Sequence, residues 1–326
     1  MKNAIKVFCF VIAVLIVGAA AWYFAFVWDM NEFVFVDGTD KNTVIITGYI
    51  GSDKDVKIPK TLRAKKVVGI DNYAFRDMDI TSVTVGDNVK WIGDGAFNGC
   101  KNLKSVDLGK SVETLGREVF VNSTELTEFK FSPELKEIGQ LIFGNNTKIS
   151  NLDLNGNKNF RFEDGVIYNS DMTVIYESLI SADLKDYVMP DTVVELRAYA
   201  FYSQDEIKSI KLNDGVKRIP DGCFASCKGL TELSIPESVE SIGKLVIVNS
   251  CISTLTIPSS VKKIDDLSFN HNEVPALDSE GKPVVDENGK EQTRPEYEIT
   301  IVTVEGSFAS TYAKRHEYNL KFVDSL

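Results

Sequence analysis

"NVKWIGDGAFNGCKNLKSVDLGKSVETLGREVF", residues 88–120, writes one phrase and begins it again. Val89-x-x-Ile92-Gly93 leads to Ala96-Phe97, Leu103-x-x-Val106-x-Leu108 follows, and Val112-x-x-Leu115-Gly116 returns to Val119-Phe120. A single compact core has no need to repeat itself. A chain built by stacking one unit does.

The period extends outward from this stretch. The leading apolar residues Ile80, Leu103, Leu126 and Ile149 are each 23 apart. The series resumes at Ile207 and Leu230, again 23 apart, then Ile252 after 22. Each start opens an L-x-x-L-x-L pattern, as in Leu103/Val106/Leu108 and Leu126/Phe129/Phe131. Its closing alternation has period two and predicts a short strand. A turn follows, often with proline (Pro133, Pro236, Pro258). A second apolar stretch comes next, such as Val89/Ile92, Val112/Leu115, Leu135/Ile138 and Val239/Ile242. The glycines Gly93, Gly116, Gly139 and Gly243 mark the turn after it. Then a large residue arrives: Phe75, Phe97, Phe120, Phe143, Phe201, Phe224 and Phe269, with Ile247 in the same slot. Each unit therefore offers two short strands and one plug. Alone it buries too little to offset the entropy of ordering it, so neighbours must share a core and pair strands. The expectation is a β-rich solenoid of about nine coils with parallel strand stacks.

The strings "LTELSIPESVESIG" (230–243) and "ITSVTVGDNVKWIGDGAFNGCKNL" (80–103) resemble the BspA-type leucine-rich repeats of bacterial surface proteins. The resemblance runs from about residue 44 to 320, with Ile-Pro-x-x-Val-x-x-Ile-Gly and Ala-Phe-x-x-Cys elements recurring in register. Residues 304–322, "VEGSFASTYAKRHEYNLKF", resemble that family's terminal unit, which ends in a short helix. The sequence departs from the pattern in three places. The unit after Ile149 lacks an Ala-Phe turn, Leu-Val-Ile stands at 245–247, and an insert occupies 270–296. The resemblance implies a leucine-rich-repeat solenoid engaged in adhesion or another surface interaction.

Solenoid ends need covers. Phe33–Val36, Asp37-Gly38 and Val44–Thr47 read as a hairpin, which places an N-terminal cap within 29–55. The repeats then occupy 56–269. Residues 297–326 hold a terminal repeat and a helical cap over Ser307–Tyr318, with Ser307 as N-cap and Phe308, Tyr312 and His316 on one face. Ile149 to Ile207 is 58 residues, two periods plus 12. The excess lies near 155–185, where Val166-Ile167-Tyr168 and Thr173–Tyr176 predict a hairpin. The similar family often carries a variant of this kind, here Asp164-Gly165-Val166-Ile167-Tyr168. Two readings stand: an aromatic protrusion using Phe160, Phe162, Tyr168 or Tyr176, or an insertion packed on the side of the solenoid. The 270–296 segment is polar and reads as a solvated loop. Its Asp286-Glu287-Asn288-Gly289 lacks the spaced carboxylates of a calcium loop.

The N-terminus is a separate matter. Lys2 and Lys6 precede Val7–Trp28, 22 residues without a charge. As a helix that run spans roughly 33 Å, against a hydrocarbon core of about 30 Å. Trp22, Tyr23 and Trp28 suit an interfacial belt. The expectation is a cytoplasmic tail at 1–6 and a transmembrane anchor at 7–28, with the rest outside the membrane. The rival is a signal peptide cleaved near Ala21, which would leave a secreted protein. Cys9 lies too early in the apolar run to be a lipoprotein cleavage site.

Net charge is −11 over 326 residues. An acidic surface disfavours phosphate backbones, so nucleic acid is discounted as a partner. Five scattered cysteines do not make a disulfide framework. Cys100 and Cys227 share one repeat position and read as structural thiols. A Cys227–Cys251 bond is conceivable outside the cytoplasm. The spacing of Cys223, Cys227 and Cys251, with or without His271, is not a zinc pattern. Neither His271 nor His316 accompanies a nucleophile elbow, and no phosphate loop occurs. No cofactor and no reaction are implied.

What is left is surface. The outward positions between the last two apolar residues of each first strand are Thr84, Asp107, Lys130, Asp153, Lys211, Ser234 and Thr256. They form a candidate face for a protein or another surface macromolecule. The competing reading is ordinary strand solubility. The functional expectation is a non-enzymatic, membrane-anchored binding or adhesion protein. The alternative is a structural component of a cell-envelope complex, acting through the membrane helix and adjacent cap.

Overall fold

Stacking converts the two short strands of each repeat into two ladders. A computed structural model describes residues 32–269, 273–275, 282, 293–295 and 299–325. In the first ladder Asp55–Lys57, Ser82–Thr84, Ser105–Asp107 and Glu128–Lys130 pair in parallel and in register, and Lys130 is bridged to Asp153. In the second, Lys65–Ile70, Trp91–Ile92, Thr114–Leu115 and Glu137–Ile138 pair likewise. Both ladders resume later. Asp186–Val188, Ser209–Lys211 and Glu232–Ser234 form one. Arg218–Ile219, Ser241–Ile242 and Lys263–Ile264 form the other. The result is a β-solenoid of about eleven turns, more than the nine expected from the sequence.

The plugs form the interior column. Phe75, Phe97, Phe120, Phe201, Phe224 and Phe269 are fully buried. The rings of Phe75 and Phe97 stack at 4.9 Å, and those of Phe97 and Phe120 at 5.5 Å. Phe75, Phe97, Phe120 and Phe143 each sit between two left-handed residues, two before and two after. The pairs are Tyr73 and Asp77, Gly95 and Gly99, Glu118 and Asn122, and Leu141 and Asn145. That geometry folds a tight turn around the ring, and it costs about 1–2 kcal/mol at each position that is not glycine. The plug amides bond forward to the next coil: Phe75 N–H to Ala96 O at 2.8 Å, Phe97 N–H to Val119 O at 2.9 Å, and Phe120 N–H to Ile142 O at 3.0 Å. Gly93, Gly116 and Gly139 stand where neighbouring coils touch. A Cβ on Gly139 would lie 2.4 Å from the Gly116 carbonyl oxygen.

A second buried column runs at the same spacing. The Cys100 thiol donates to Phe75 O at 3.1 Å, Ser123 Oγ to Phe97 O at 3.3 Å, Asn146 Nδ2 to Phe120 O at 3.0 Å, and the Cys227 thiol to Phe201 O at 2.9 Å. In these four coils one small donor thus satisfies a carbonyl with no access to water, whereas the buried Ser250 hydroxyl at the equivalent position has no such partner. Burial pushes the Cys100 and Cys227 thiols up to about 12, which keeps them from ionising. Cys227 and the exposed Cys251 are free thiols, not a disulfide.

At the N-terminal end Phe33–Asp37 pairs antiparallel with Thr43–Tyr49, and the latter joins the second ladder through Lys65–Ile70. Phe33 lies 5.1 Å from Tyr49 and 6.4 Å from Phe75, so it lids the first plug. At the other end the helix runs Phe308–Arg315, shorter than Ser307–Tyr318, with the Ser307 hydroxyl accepting from Ser310 N–H. Ala309, Tyr312 and Ala313 are its buried side, and Phe308 is 42% exposed. The expected Phe308/Tyr312/His316 face is corrected accordingly. The Tyr312 and His316 rings do meet at 4.4 Å, tilted by 33°, but the first helical residue overhangs the core. Beyond the helix the chain forms another strand, Asn319–Val323, parallel to Thr300–Val304.

Of the 270–296 insert, Glu273–Pro275 pairs antiparallel with Thr293–Pro295. The residues Asp286–Gly289 and His271 lie outside the described residues, as do the tail 1–6, Cys9 and the apolar segment 7–28. Among the described residues, no helix is long and apolar enough to cross a membrane.

Candidate binding face

The register of the first ladder decides which side chains share a row. Thr84, Asp107, Lys130 and Asp153 fall in one line by direct pairing. They line a shallow depression of about 430 Å³ together with Ser105 and Glu128. Charge alternates along the line at Asp107, Lys130 and Asp153, and Lys130 Nζ lies 3.4 Å from Asp107 Oδ2. A half-exposed pair of this kind contributes about 0–1 kcal/mol. Its larger effect is to hold the row in one pattern of hydroxyl, anion and cation.

Lys211, Ser234 and Thr256 belong to the resumed ladder. Lys211 pairs directly with Ser234, and Thr256 lies on the following strand, Thr254–Thr256. The seven positions therefore make two rows, of four and of three. The segment between Asp153 and Asp186 separates them.

That segment is where sequence reasoning saw least. Phe160–Glu163, Val166–Asn169 and Val174–Ser178 form an antiparallel meander, and Val174–Ser178 then pairs in parallel with Glu195–Leu196. The hairpin expected at 166–176 is present, extended by a third strand. Phe160 and Tyr168 are buried, and Phe162 and Tyr176 pack against the core, so no aromatic protrusion exists. Val166–Asn169 is covered on both sides. Its Ile167 belongs to the N-terminal core, and Val166 and Tyr168 belong to the C-terminal core. Period-two alternation lets one strand serve as a partition between them.

Glu177 repairs the broken ladder. The turn after Phe143 has no plug turn in the following coil to receive its amides. The Glu177 carboxylate accepts from Ile142 N–H at 2.7 Å and from Phe143 N–H at 3.0 Å. Burial pushes this carboxyl up to about 8, against the two donors that favour its charged form. The signal was in the sequence. Glu177 is the one charge between the apolar Ile175 and Leu179, and a buried carboxyl must have partners; a bulge between Ile175 and Glu177 then turns the two to opposite sides of the strand.

Beside the partition is a groove of about 660 Å³, lined by Glu163–Gly165, Tyr168, Ser181–Val188 and others. The Tyr168 and Tyr187 hydroxyls meet at 2.9 Å at its base. Only the 12-residue excess in the repeat spacing hinted at it. Among the described residues, no group of three or more His, Cys, Asp or Glu could hold a metal ion.

Comparison with known proteins agrees with this architecture. A family model described as a BspA type leucine rich repeat region matches residues 68–178 and 179–274, in six copies. The pneumococcal vaccine antigen PcpA is 16% identical, with 91% of this chain and 100% of that one covered and a TM-score of 0.60. A leucine-rich repeat protein from Eubacterium ventriosum is 23% identical, covering 69% of this chain and 74% of that one, with a TM-score of 0.53. These two share the fold. A T. pallidum leucine-rich repeat protein is 25% identical over 67% of this chain and 86% of that one, with a TM-score of 0.41. No curated protein matches the sequence. With the family's repeats matched over more than half of its length, the chain belongs to the BspA-type leucine-rich repeat family.

Proposed function

We propose that this chain is a non-enzymatic surface protein, held in the cell membrane by residues 7–28, that binds a protein or other macromolecule. The observation that carries the reading is the register-aligned row Thr84, Asp107, Lys130 and Asp153 on a ladder whose interior is fully packed. A rigid row of mixed hydroxyls and charges loses little entropy on binding and selects its partner by charge pattern. Family membership supports a surface-interaction role.

The test uses a panel of immobilised extracellular proteins and glycans. The intact chain binds at least one member, and reversing Asp107, Lys130 and Asp153 together weakens that binding at least tenfold without changing the melting temperature. Unchanged binding removes the row from the reading. Fractionation with N-terminal sequencing tests the anchor. A Met1 or Lys2 terminus in the membrane pellet supports it, and a terminus near Trp22 in the medium overturns it.

A second reading, a structural part of an envelope complex, draws on the N-terminal cap. Val34, Val36 and Ile50 are 45%, 50% and 75% exposed, an apolar edge whose first member follows the proposed anchor by six residues in sequence. Exchanging 7–28 for an unrelated anchor disables that role and spares adhesion.

A further inference from the structure

The two sides of the solenoid contain unequal numbers of strands at the break. On the second-strand side, Val166–Asn169 and Val174–Ser178 stand between Phe160–Glu163 and Glu195–Leu196. Three steps of about 4.8 Å separate the outer two strands, roughly 14 Å where a regular solenoid has one step. On the first-strand side no strand stands between the bridge at Asp153 and Asp186–Val188. The chain crosses this interval as the loop 179–184, pinned where the Ser181 hydroxyl donates to Ile149 O. The groove of about 660 Å³ opens in this interval, with Ser150 on the side of the preceding coil and Lys185–Val188 on the other.

Its wall is an open strand edge. Met189 N–H bonds Lys211 O, and Lys185 O accepts from Lys208 N–H, so odd-numbered residues face Ser209–Lys211. The alternation of a parallel ladder then turns the Asp186 and Val188 amides and carbonyls toward the gap. Asp186–Val188 is the terminal strand of its sheet. Such an edge is a template for a further strand. The lining is also charged in one sense, with Glu163, Asp164, Asp183 and Asp186 against Lys185 alone. Val188, 67% exposed, offers an apolar contact on the same strand.

We infer that the gap receives an extended, basic segment of a partner protein, which adds as a strand to the Asp186–Val188 edge. Main-chain bonds supply the pairing, and the carboxylates select lysine and arginine. This rests on the binding role proposed above and places its partner's chemistry at a site separate from the Thr84–Asp153 row.

The experiment uses the full chain in non-ionic detergent and three end-blocked nonapeptides: alternating Lys and Val, alternating Glu and Val, and the Lys/Val peptide N-methylated at alternate residues. Anisotropy is expected to show the Lys/Val peptide binding at least tenfold more tightly than either control. Hydrogen exchange should slow at 186–188 and stay unchanged on the Thr84–Asp153 row. Val188→Pro removes a gap-facing amide from an edge position that tolerates proline, and should weaken binding at least tenfold. Asp183→Lys with Asp186→Lys should do the same. Equal binding of the N-methylated peptide, protection elsewhere, no binding, or a self-associated dimer that buries this edge would each overturn the inference. The broader reading fails separately. If a panel ligand is lost on reversing Asp107, Lys130 and Asp153 but kept by Val188→Pro, the row binds and the gap does not.

Discussion

The turns around Phe97 and Phe143 begin alike and end differently. Phe97 N–H finds the Val119 carbonyl of the next coil at 2.9 Å. Phe143 N–H finds a carboxylate at 3.0 Å, brought from 34 residues away by Glu177. A regular coil needs no special residue here, because its neighbour presents the same carbonyl one repeat on. Where the repeat lapses, two buried amides remain to be satisfied, and orphaned amides are more costly than a buried carboxyl that meets both. Periodicity distributes the hydrogen-bonding requirement over all the coils, and the break concentrates it in one side chain.

Phe97→Ala breaks the regular side of this comparison. It removes a ring stacked on both neighbours, and a loss of about 3–5 kcal/mol is expected in urea unfolding. Hydrogen exchange should accelerate across the N-terminal core and leave the C-terminal core protected, because the two are packed as separate clusters. Uniform acceleration would show that the partition does not divide them.

Glu177 tests the other side. Glu177→Ala orphans two amides, at about 1–3 kcal/mol each. The pH dependence is more diagnostic. The folded carboxyl titrates at about 8 and the unfolded one near 4.5, so the folded state holds the proton more tightly. Its stabilising contribution is complete below pH 4.5 and is lost as pH rises through 8. Wild type should therefore fall in stability over that window relative to Glu177→Gln, which does not titrate. Glu113 behaves oppositely. Lys136 and Lys90 each bond it at 2.8 Å and hold it down to about 2, so its small contribution is present above pH 4.5 and fades as pH falls toward 2.

Gly139→Ala probes coil-to-coil approach. Its Cβ would meet the Gly116 backbone, and overpacking of this kind costs about 1–3 kcal/mol. The smallest expected effect has the opposite sign. Glu118 is exposed at φ +56°, and Glu118→Gly should stabilise by about 0.5–1 kcal/mol if relief of the left-handed strain exceeds the entropy added to the unfolded chain. Thermal melts of both variants, read against Phe97→Ala, rank plug, contact and turn within one coil.

The period was legible because a stacked fold repeats its chemistry. Phe75 through Phe143, the strand pairs and the Cys100 position all recur at fixed spacing, so each confirmed the next. The left-handed residues were hidden, since Tyr73, Glu118 and Leu141 are not turn formers and only the ring beside each demands the conformation. The Leu320/Phe322 alternation is the trace of the strand Asn319–Val323, which the resemblance does not imply because that family's terminal unit ends in a helix. The candidate row was legible as positions and not as geometry. Nothing local says that Asp153 ends one line and Lys211 belongs to another. That follows from counting strands on both sides of the break, and a count of that kind depends on residues far apart in sequence pairing.

The partition also orders events during synthesis. Every residue of the N-terminal core, from Val44 to Leu179, precedes the first coil that follows the meander. A ribosome that has released residue 179 has already delivered the whole of that core, including the carboxylate that closes its last turn. The leading half can reach its finished packing while the trailing half is still being made, and then serve as the template on which Glu195–Leu196 pairs. An interruption in the repeat thus becomes a checkpoint in vectorial folding, where an uninterrupted solenoid would present an open end at every moment of its manufacture.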